Sequence, residues 1–183
     1  MGQQFGELNQ EHIDFIAEQK IYFVATSTNE SKINLSPKGQ DSFRVVNSKK
    51  VVWLNVTGSG NESSAHVQID KRMTIMFCAF EGKPIILRIY GKAQVIHLND
   101  SNWEEYYALF PKLPGTRQIF IVEIELVQKS CGMSVPLYEY IGERQQLKNW
   151  AITKGESGIT EYWQQKNQFT IDNIPTNIVE KNL

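Results

Sequence analysis

The sequence has few of the residues that mark disulfide-rich or metal-binding proteins. Its two cysteines, Cys78 and Cys131, are too few among 183 residues for a disulfide framework. The three histidines, His12, His66 and His97, lie far apart and have no ligand spacing with the cysteines. The small number of cysteines indicates a reduced, cytoplasmic protein, and the cysteines and histidines together form no metal motif.

The sequence also lacks an excess charge of one sign and a long apolar run. The formal net charge is -1, from 19 Lys+Arg against 20 Asp+Glu, which gives no electrostatic case for a nucleic-acid or membrane-surface partner. No apolar run is long enough to span a bilayer, and the first residues lack the charged-then-apolar pattern of a secretory signal. With 41% hydrophobic and 21% charged residues, the chain has the composition of a globular protein with a buried core.

Strand-like segments follow one another along most of the chain. Six or seven strands are predicted from IYFVATST, KINLSP, FRVV, KKVVWLNV, RMTIMFCAF, IILRIYGKAQVIHL and RQIFIVEIELVQKS. Gly91, within the sixth segment, predicts a bulge or a close approach of two backbones. Because only one short helix interrupts this succession, we expect an antiparallel barrel or sandwich rather than βαβ units. The predicted fold class is α+β, mainly β.

Helices are predicted at four places around these strands. The first follows Asn9 as N-cap, the second spans about 61–70, and the third spans 101–110 with Ser101 as N-cap. The fourth helical region begins near residue 142, and an irregular tail follows it. We expect one domain over residues 1–183, with the barrel at about 15–130 and a helical C-terminal segment at about 142–168.

The segment VVWLNVTGSGNESSAH joins a buried strand to a helix through small polar residues. Free backbone N–H groups, hydroxyls and a helix N-terminus are what a phosphate group needs, and glycine lets the backbone approach it. The turn is neither a Walker A loop, because no Gly-Lys-Ser/Thr ends it, nor a dinucleotide fingerprint, because no βαβ unit surrounds it. A tight turn with Ser59 or Asn61 as helix cap is the alternative, and the pattern alone leaves both open.

Several side chains outside this turn are candidates for an anion site. Lys38 follows Pro37 at the end of a strand, and Arg88 lies within an apolar strand, where it faces either solvent or a polar pocket. Arg44 and Lys92 are weaker candidates. His66 lies one helical turn after Glu62 in sequence, which makes it either a proton donor in the site or a solvated or capping helix residue.

Four blocks in order resemble a known family: INLSPKG, VVWLNVTGSGNESSAH, RMTIMFCAFEGKPIILRIYGKAQVI and CGMSVPLYEYIGER. Together they resemble the pyridoxamine 5'-phosphate oxidase-like family of flavin-binding split barrels, and more closely a branch of unassigned substrate. The resemblance covers roughly residues 15–167. It implies a six-stranded antiparallel split β-barrel with peripheral helices, a homodimer, and FMN, or alternatively F420, at the subunit interface.

The resemblance also implies where the cofactor lies. In the family the flavin ring and ribityl chain follow the second strand, here residues 32–38, and the phosphate is held at the turn before the helix, here residues 57–63. The candidate cofactor-binding residues are Asn34, Ser36, Lys38, Thr57, Ser59, Gly60, Asn61, Glu62, Ser63, His66 and Arg88.

Two departures limit the activity that the resemblance implies. The oxidase carries an Arg-Lys pair where this chain has Gly60-Asn61, and FTIDNIPTNIVEKNL has no counterpart of the oxidase's Trp and Arg-X-His group. Classical pyridoxamine-phosphate oxidase activity is therefore not expected. The resemblance implies an FMN-dependent oxidoreductase acting on a small-molecule substrate, with substrate and catalytic residues unknown. The alternative is a non-catalytic protein that binds or stores flavin, F420 or haem.

Overall fold

The computed structural model describes residues 2–183, which form eight strands and five helices. The strands are β1 (Gln3–Phe5), β2 (Tyr22–Thr26), β3 (Asn34–Lys38), β4 (Phe43–Asn47), β5 (Lys50–Val56), β6 (Arg72–Cys78), β7 (Ile85–His97) and β8 (Thr116–Cys131). The helices are α1 (Gln10–Glu18), α2 (Glu62–Ile69), α3 (Trp103–Tyr107), α4 (Gln146–Lys166) and α5 (Ile178–Asn182).

The strands form one antiparallel sheet in the order β3-β2-β6-β7-β8-β5-β4, and β1 pairs with β8 beside this path. The path remains open between β3 and β4, so the barrel is split rather than closed. This confirms the predicted α+β class. The seven segments predicted as strands are all present, and β1 is an additional strand because its three residues are too short to show an apolar alternation.

The bulge predicted at Gly91 is present in the long β7–β8 pair. Tyr90 pairs with Leu126 but Gly91 pairs with Ile124, so Glu125 is the extra residue. A Cβ on Gly91 would lie 2.2 Å from the carbonyl oxygen of Glu123, an approach that only glycine allows.

The sheet buries apolar side chains on both faces of its central strands. In the main core, inside the split barrel, Trp53 of β5 stacks on Phe120 of β8 with ring centroids 4.2 Å apart. A second cluster lies on the opposite face of β5 and β8, where Trp103 and Phe110 cover Leu54 and its neighbours. Burial on both faces explains why β5 is an almost continuous apolar run.

The helix caps agree only in part with the sequence predictions. Asn9 caps α1 as predicted, because its Oδ1 accepts from the His12 backbone N–H at 3.0 Å. The prediction of Ser101 as the cap of α3 is wrong. Asn102 is the N-cap residue, and its side chain makes no cap hydrogen bond. The Trp103 N–H donates to the Asp100 carbonyl and forms a turn there, so the helix begins only at Trp103.

The C-terminal segment packs against the barrel as two helices. α4 is interrupted at Gly155, whose φ of 63° is left-handed, and α5 replaces the irregular tail predicted there. Ala151, Ile159 and Trp163 of α4 and Ile178 of α5 form their own apolar cluster. Within residues 2–183, no helix combines the length and the apolar character that crossing a membrane requires.

Candidate anion-binding groove

A groove of about 1960 Å³ lies between β3, the loop that follows β5, and the chain that leads into α4. This volume exceeds the roughly 300–1,000 Å³ of typical small-molecule pockets. Polar side chains of β3 lie along one wall, and small residues of the loop form another. The side chains and loop positions on these walls are Asn34, Ser36, Lys38, Thr57, Gly58, Ser59, Gly60, Glu62 and Arg117.

Arg117, at the start of β8, is a buried cation in this groove. It is 3% exposed, its Nη1 donates to Asn167 Oδ1 at 2.8 Å, and its Nη2 donates to the Gly60 carbonyl at 2.7 Å. Its Nε is buried and has no hydrogen-bond partner. An unpaired buried N–H costs free energy, so the residues around the guanidinium of Arg117 do not fully compensate its burial.

Lys38 is the second cation, and it lies on the wall formed by β3. Its Nζ is 5.2 Å from the centroid of the Trp53 ring, within the range of a cation–π contact. Of the six ion pairs within residues 2–183, none includes Lys38 or Arg117. Neither Lys38 nor Arg117 therefore has a carboxylate partner in direct contact.

Burial changes the pKa of both cations in the same direction. Burial lowers the pKa of Arg117 to about 10, opposed by the nearby Glu62 carboxylate. Burial, and then the charge of Arg117, lower the pKa of Lys38 to about 8. A lowered pKa means that the surroundings stabilise the charged form of the side chain less well than water does. An anion bound here would therefore stabilise both charges.

The loop after β5 turns its carbonyl groups away from solvent. The Gly58 and Ser59 carbonyls accept from Asn167 Nδ2 at 3.1 and 3.3 Å, and the Gly60 carbonyl accepts from Arg117. In a trans peptide the following N–H points opposite to the carbonyl, so the N–H groups of Ser59 and Gly60 face away from Asn167 and that of Asn61 faces away from Arg117. No hydrogen bond within residues 2–183 uses these three donors. We call this loop, residues 58–61, together with Lys38 and Arg117, the anion cradle.

Glu62, the first residue of α2, brings a negative charge to the cradle. A Cβ built on Gly60 would lie 2.2 Å from Glu62 Oε2, so the carboxylate folds back against the loop. Within residues 2–183 the carboxylate makes no hydrogen bond and no ion pair below 4 Å. Its negative charge nevertheless acts to raise the pKa of Lys38 and of Arg117 against the effect of burial. An incoming anion would meet this carboxylate at the cradle.

The predicted site residues divide between the groove and the layer behind it. Asn61, Ser63 and His66 are buried and do not line the groove. They lie beneath seven predicted residues that do: Asn34, Ser36, Lys38, Thr57, Ser59, Gly60 and Glu62.

Hydrogen bonds connect His66 to the groove wall. Its Nδ1 is 3.1 Å from Thr26 Oγ1, which donates to Ser63 Oγ at 3.2 Å. Asn34 Nδ2 also donates to Ser63 Oγ, at 3.1 Å. The interpretation of His66 as a solvated helix residue is wrong, since it is fully buried and burial lowers its pKa. His66 supports the side chains of the wall rather than facing the groove.

Arg88 lies on a different surface from the other predicted site residues. Its neighbours across the sheet are Met76 and Gln128, and its Nη1 donates to Ser130 Oγ at 3.2 Å. It does not line the groove. Alternate residues of β7 face opposite sides of the sheet, and the buried Leu87 and Ile89 occupy the core side.

Sequence reasoning did not find Arg117 or Asn167. The available signal for Arg117 was a charged residue directly before the apolar run QIFIV, after the Pro-Gly turn at 114–115. Asn167 had no such signal, because its partners lie 50 and about a hundred residues away in the chain.

A sequence profile of the pyridoxamine 5'-phosphate oxidase family matches residues 8–131. These residues contain seven of the eight strands, β2 to β8, together with the anion cradle. The chain belongs to the pyridoxamine 5'-phosphate oxidase family. A curated relative in this family, the protein ustO of Aspergillus flavus, is 31% identical over an alignment that covers 88% of this chain and 72% of the relative.

Solved structures show the same fold at lower identity. HupZ of Group A Streptococcus has a TM-score of 0.52 at 18% identity, with 65% of this chain and 91% of that chain covered. A protein of Lactobacillus delbrueckii, provisionally named a pyridoxamine 5'-phosphate oxidase, has a TM-score of 0.53 at 17% identity, with 67% and 94% covered. The split-barrel architecture expected of this family is thereby confirmed.

Proposed function

We propose that this member of the pyridoxamine 5'-phosphate oxidase family binds FMN, with the phosphate in the anion cradle and the flavin along β3. The observation that supports this most directly is the pair of cations, the half-buried Lys38 and the buried Arg117, without a carboxylate partner within 4 Å. The backbone N–H groups of Ser59 and Gly60, which no hydrogen bond within residues 2–183 uses, add donors of the kind that bind phosphate oxygens.

The residues of this chain also suit the remainder of the cofactor. Asn34 and Ser36 lie on the groove wall and are fixed to each other, because Ser36 Oγ donates to Asn34 Oδ1 at 3.1 Å. They offer polar contacts to a ribityl chain or to the edge of a flavin ring. FMN supplies hydride or electron transfer when bound, and the protein then contributes binding, orientation and the exclusion of water. We therefore propose an oxidoreductase whose substrate is a small molecule.

The cofactor proposal is tested with FMN and riboflavin, which share the ring and ribityl chain but differ in the phosphate. Each is titrated into the purified protein while flavin fluorescence and visible absorption are recorded. We expect FMN to bind at least about tenfold more tightly, since the cradle supplies charge-assisted hydrogen bonds to the phosphate alone. Equal affinities would overturn the assignment of the cradle to the phosphate.

Turnover separates an oxidoreductase from a flavin carrier. The FMN-loaded protein is mixed anaerobically with a reduced nicotinamide, and the bleaching of the visible flavin band is followed. Bleaching that reverses when oxygen is admitted supports the oxidoreductase. A flavin that stays oxidised with every reductant tried would favour the non-catalytic alternative.

We propose that the protein is a homodimer, joined through the outer face of the sheet. Two rows of side chains cross five strands on this face, and Leu35, at the end of one row, is 64% exposed. The rows are Pro37–Phe23–Met76–Arg88–Gln128 and Leu35–Ala25–Thr74–Tyr90–Leu126. A mainly apolar face of this width suits a second copy of the chain, and it would bring Arg88 to the subunit interface.

Two further expectations accompany this proposal. We propose that the cytoplasm is the working compartment, because Cys78 and Cys131 are both free thiols. We also propose that residues 1–183 act as one domain, since Asn182 of α5 donates to the Arg117 carbonyl of β8, and Trp163 and Asn167 donate to the chain that follows β5.

A further inference from the structure

The loop of the anion cradle is held from behind by the C-terminal segment, which lies outside the matched family region of residues 8–131. Asn167, at the end of α4, is fully buried and makes contacts in two directions. Its Nδ2 donates to the Gly58 and Ser59 carbonyls, and its Oδ1 accepts from Arg117 Nη1. One amide group thus fixes the loop and the guanidinium relative to each other.

Asn167 is itself fixed by the chain around it. Its backbone N–H donates to the Trp163 carbonyl at 3.0 Å, and its backbone carbonyl accepts from Thr176 Oγ1 at 2.5 Å. Trp163 Nε1 in turn donates to Thr57 Oγ1 at 2.8 Å, just before the loop. Thr176 is fully buried, so these bonds are shielded from water.

The direction of these bonds matters for the ligand. A carbonyl oxygen that faced the groove would repel a phosphate, whereas an N–H would bind it. By holding two carbonyls inward, the amide of Asn167 turns the N–H groups of Ser59 and Gly60 outward. By accepting from Nη1 of Arg117, the same amide also fixes the orientation of the guanidinium beside the loop.

We propose that Asn167 is a positioning residue for recognition of the cofactor phosphate, and that the C-terminal segment is therefore part of the binding site. This inference rests on the proposed function, because it assumes that the anion in the cradle is the phosphate of FMN. Asn167 acts through the loop and Arg117 and has no contact with the groove of its own.

The test compares FMN with riboflavin in Asn167→Ala. Without the amide, the loop carbonyls and Arg117 lose their common partner, and we expect FMN affinity to fall about tenfold or more. Riboflavin affinity should change less than about twofold, since riboflavin has no group in the cradle. A purely structural role would lower both affinities together. The ratio of the two dissociation constants is therefore the deciding quantity.

A milder variant and a matched control complete the experiment. Thr176→Val keeps the side-chain shape but removes the bond that fixes Asn167, so it should weaken FMN binding relative to riboflavin binding, as Asn167→Ala does, by a smaller factor. This variant decides the question if Asn167→Ala does not fold. Asn149→Ala removes an exposed amide from the same helix and should leave the ratio unchanged.

The possible outcomes separate the inference from the proposed function. A wild-type protein that binds both flavins equally would overturn the phosphate assignment and, with it, the role of Asn167. A wild-type protein that prefers FMN, with an unchanged ratio in folded Asn167→Ala and in Thr176→Val, would overturn the positioning role alone. Selective loss of FMN affinity supports the positioning role.

Discussion

The ammonium group of Lys38 lies 5.2 Å from the centroid of the Trp53 ring, at the boundary between the groove and the main core. Trp53 is fully buried and stacks on Phe120, so the aromatic surface beneath the lysine is rigid. A lysine at such a boundary is attracted to the ring face but loses much of its hydration. Its pKa of about 8 reflects that loss together with the repulsion from Arg117.

The affinity for FMN should depend on pH through Lys38. The lysine loses its charge as the pH rises through about 8, whereas the phosphate remains a dianion in this range. We expect FMN affinity to fall about tenfold between pH 7.5 and 9.5, measured by fluorescence titration at constant ionic strength. Riboflavin affinity should stay constant over the same range.

Lys38→Arg is the matched control for this pH dependence, because a guanidinium keeps its charge throughout. The variant should bind FMN at pH 7.5 and retain that affinity at pH 9.5. If it shows the same decline as the wild-type protein, another group is responsible and Lys38 does not contact the phosphate.

Glu62 should weaken the binding of anions, since its carboxylate lies against Gly60 in the cradle. Glu62→Gln removes the negative charge but keeps the size of the side chain. We expect FMN to bind about fivefold more tightly, which corresponds to about 1 kcal/mol, and the gain should shrink at high salt.

The control for Glu62 is Glu139→Gln, which makes the same change in net charge on the exposed rim of the groove. It should change FMN affinity little. Weaker binding by Glu62→Gln would contradict the prediction and would instead indicate that the carboxylate accepts a hydrogen bond from the ligand.

The sequence predicts the sheet better than it predicts the site, because the two depend on contacts of different range. Seven strands and the bulge at Gly91 follow from local alternation and from one glycine inside an apolar run. The turn at residues 57–64 is recognisable for the same reason. Arg117 and Asn167 are not, since their importance arises only when β8 and the end of α4 meet behind that turn.

The error about His66 has a related cause. Sequence spacing places it one turn after Glu62 on α2, but spacing does not show which side of the helix the barrel covers. α2 carries five successive buried residues from Ser63 to Val67, so it lacks the amphipathic pattern from which an inward face is usually inferred.

Gly91 should be essential for the stability of the sheet. A side chain there would place Cβ 2.2 Å from the Glu123 carbonyl oxygen, and that oxygen belongs to the paired strand and has little freedom to move. We expect Gly91→Ala to lower the free energy of unfolding by about 1–3 kcal/mol in urea denaturation.

Gly58→Ala is the corresponding control, because a Cβ at Gly58 meets no atom within 4 Å and its φ does not lie in the left-handed region. Its free energy of unfolding should match that of the wild-type protein within about 0.5 kcal/mol. A Gly91→Ala protein as stable as this control would show that the bulge relaxes without cost.

His97 should make the protein sensitive to mild acid. The ring is fully buried at the end of β7, and neither ring nitrogen makes a hydrogen bond of regular geometry, although the Asn182 side chain lies close to the ring. Burial, reinforced by the charge of Lys181 and opposed by Asp100 and the Asn182 side chain, lowers its pKa to about 4. In the unfolded chain the ring titrates near its ordinary value of about 6.5. Between these values the unfolded state binds more protons, so stability is present above pH 6.5 and is lost as the pH falls toward 4.

His97→Leu tests this contribution, because an apolar side chain leaves no polar group unpaired at the site. Urea denaturation at pH 7 and pH 5 gives the loss of free energy of unfolding for each protein, and the variant should lose about 2 kcal/mol less than the wild-type protein. His12 and His66, whose pKa values burial also lowers, remain in both proteins and cancel in the comparison. Equal losses would mean that His97 accepts its proton in the folded state, which requires a partner or a water molecule at the ring.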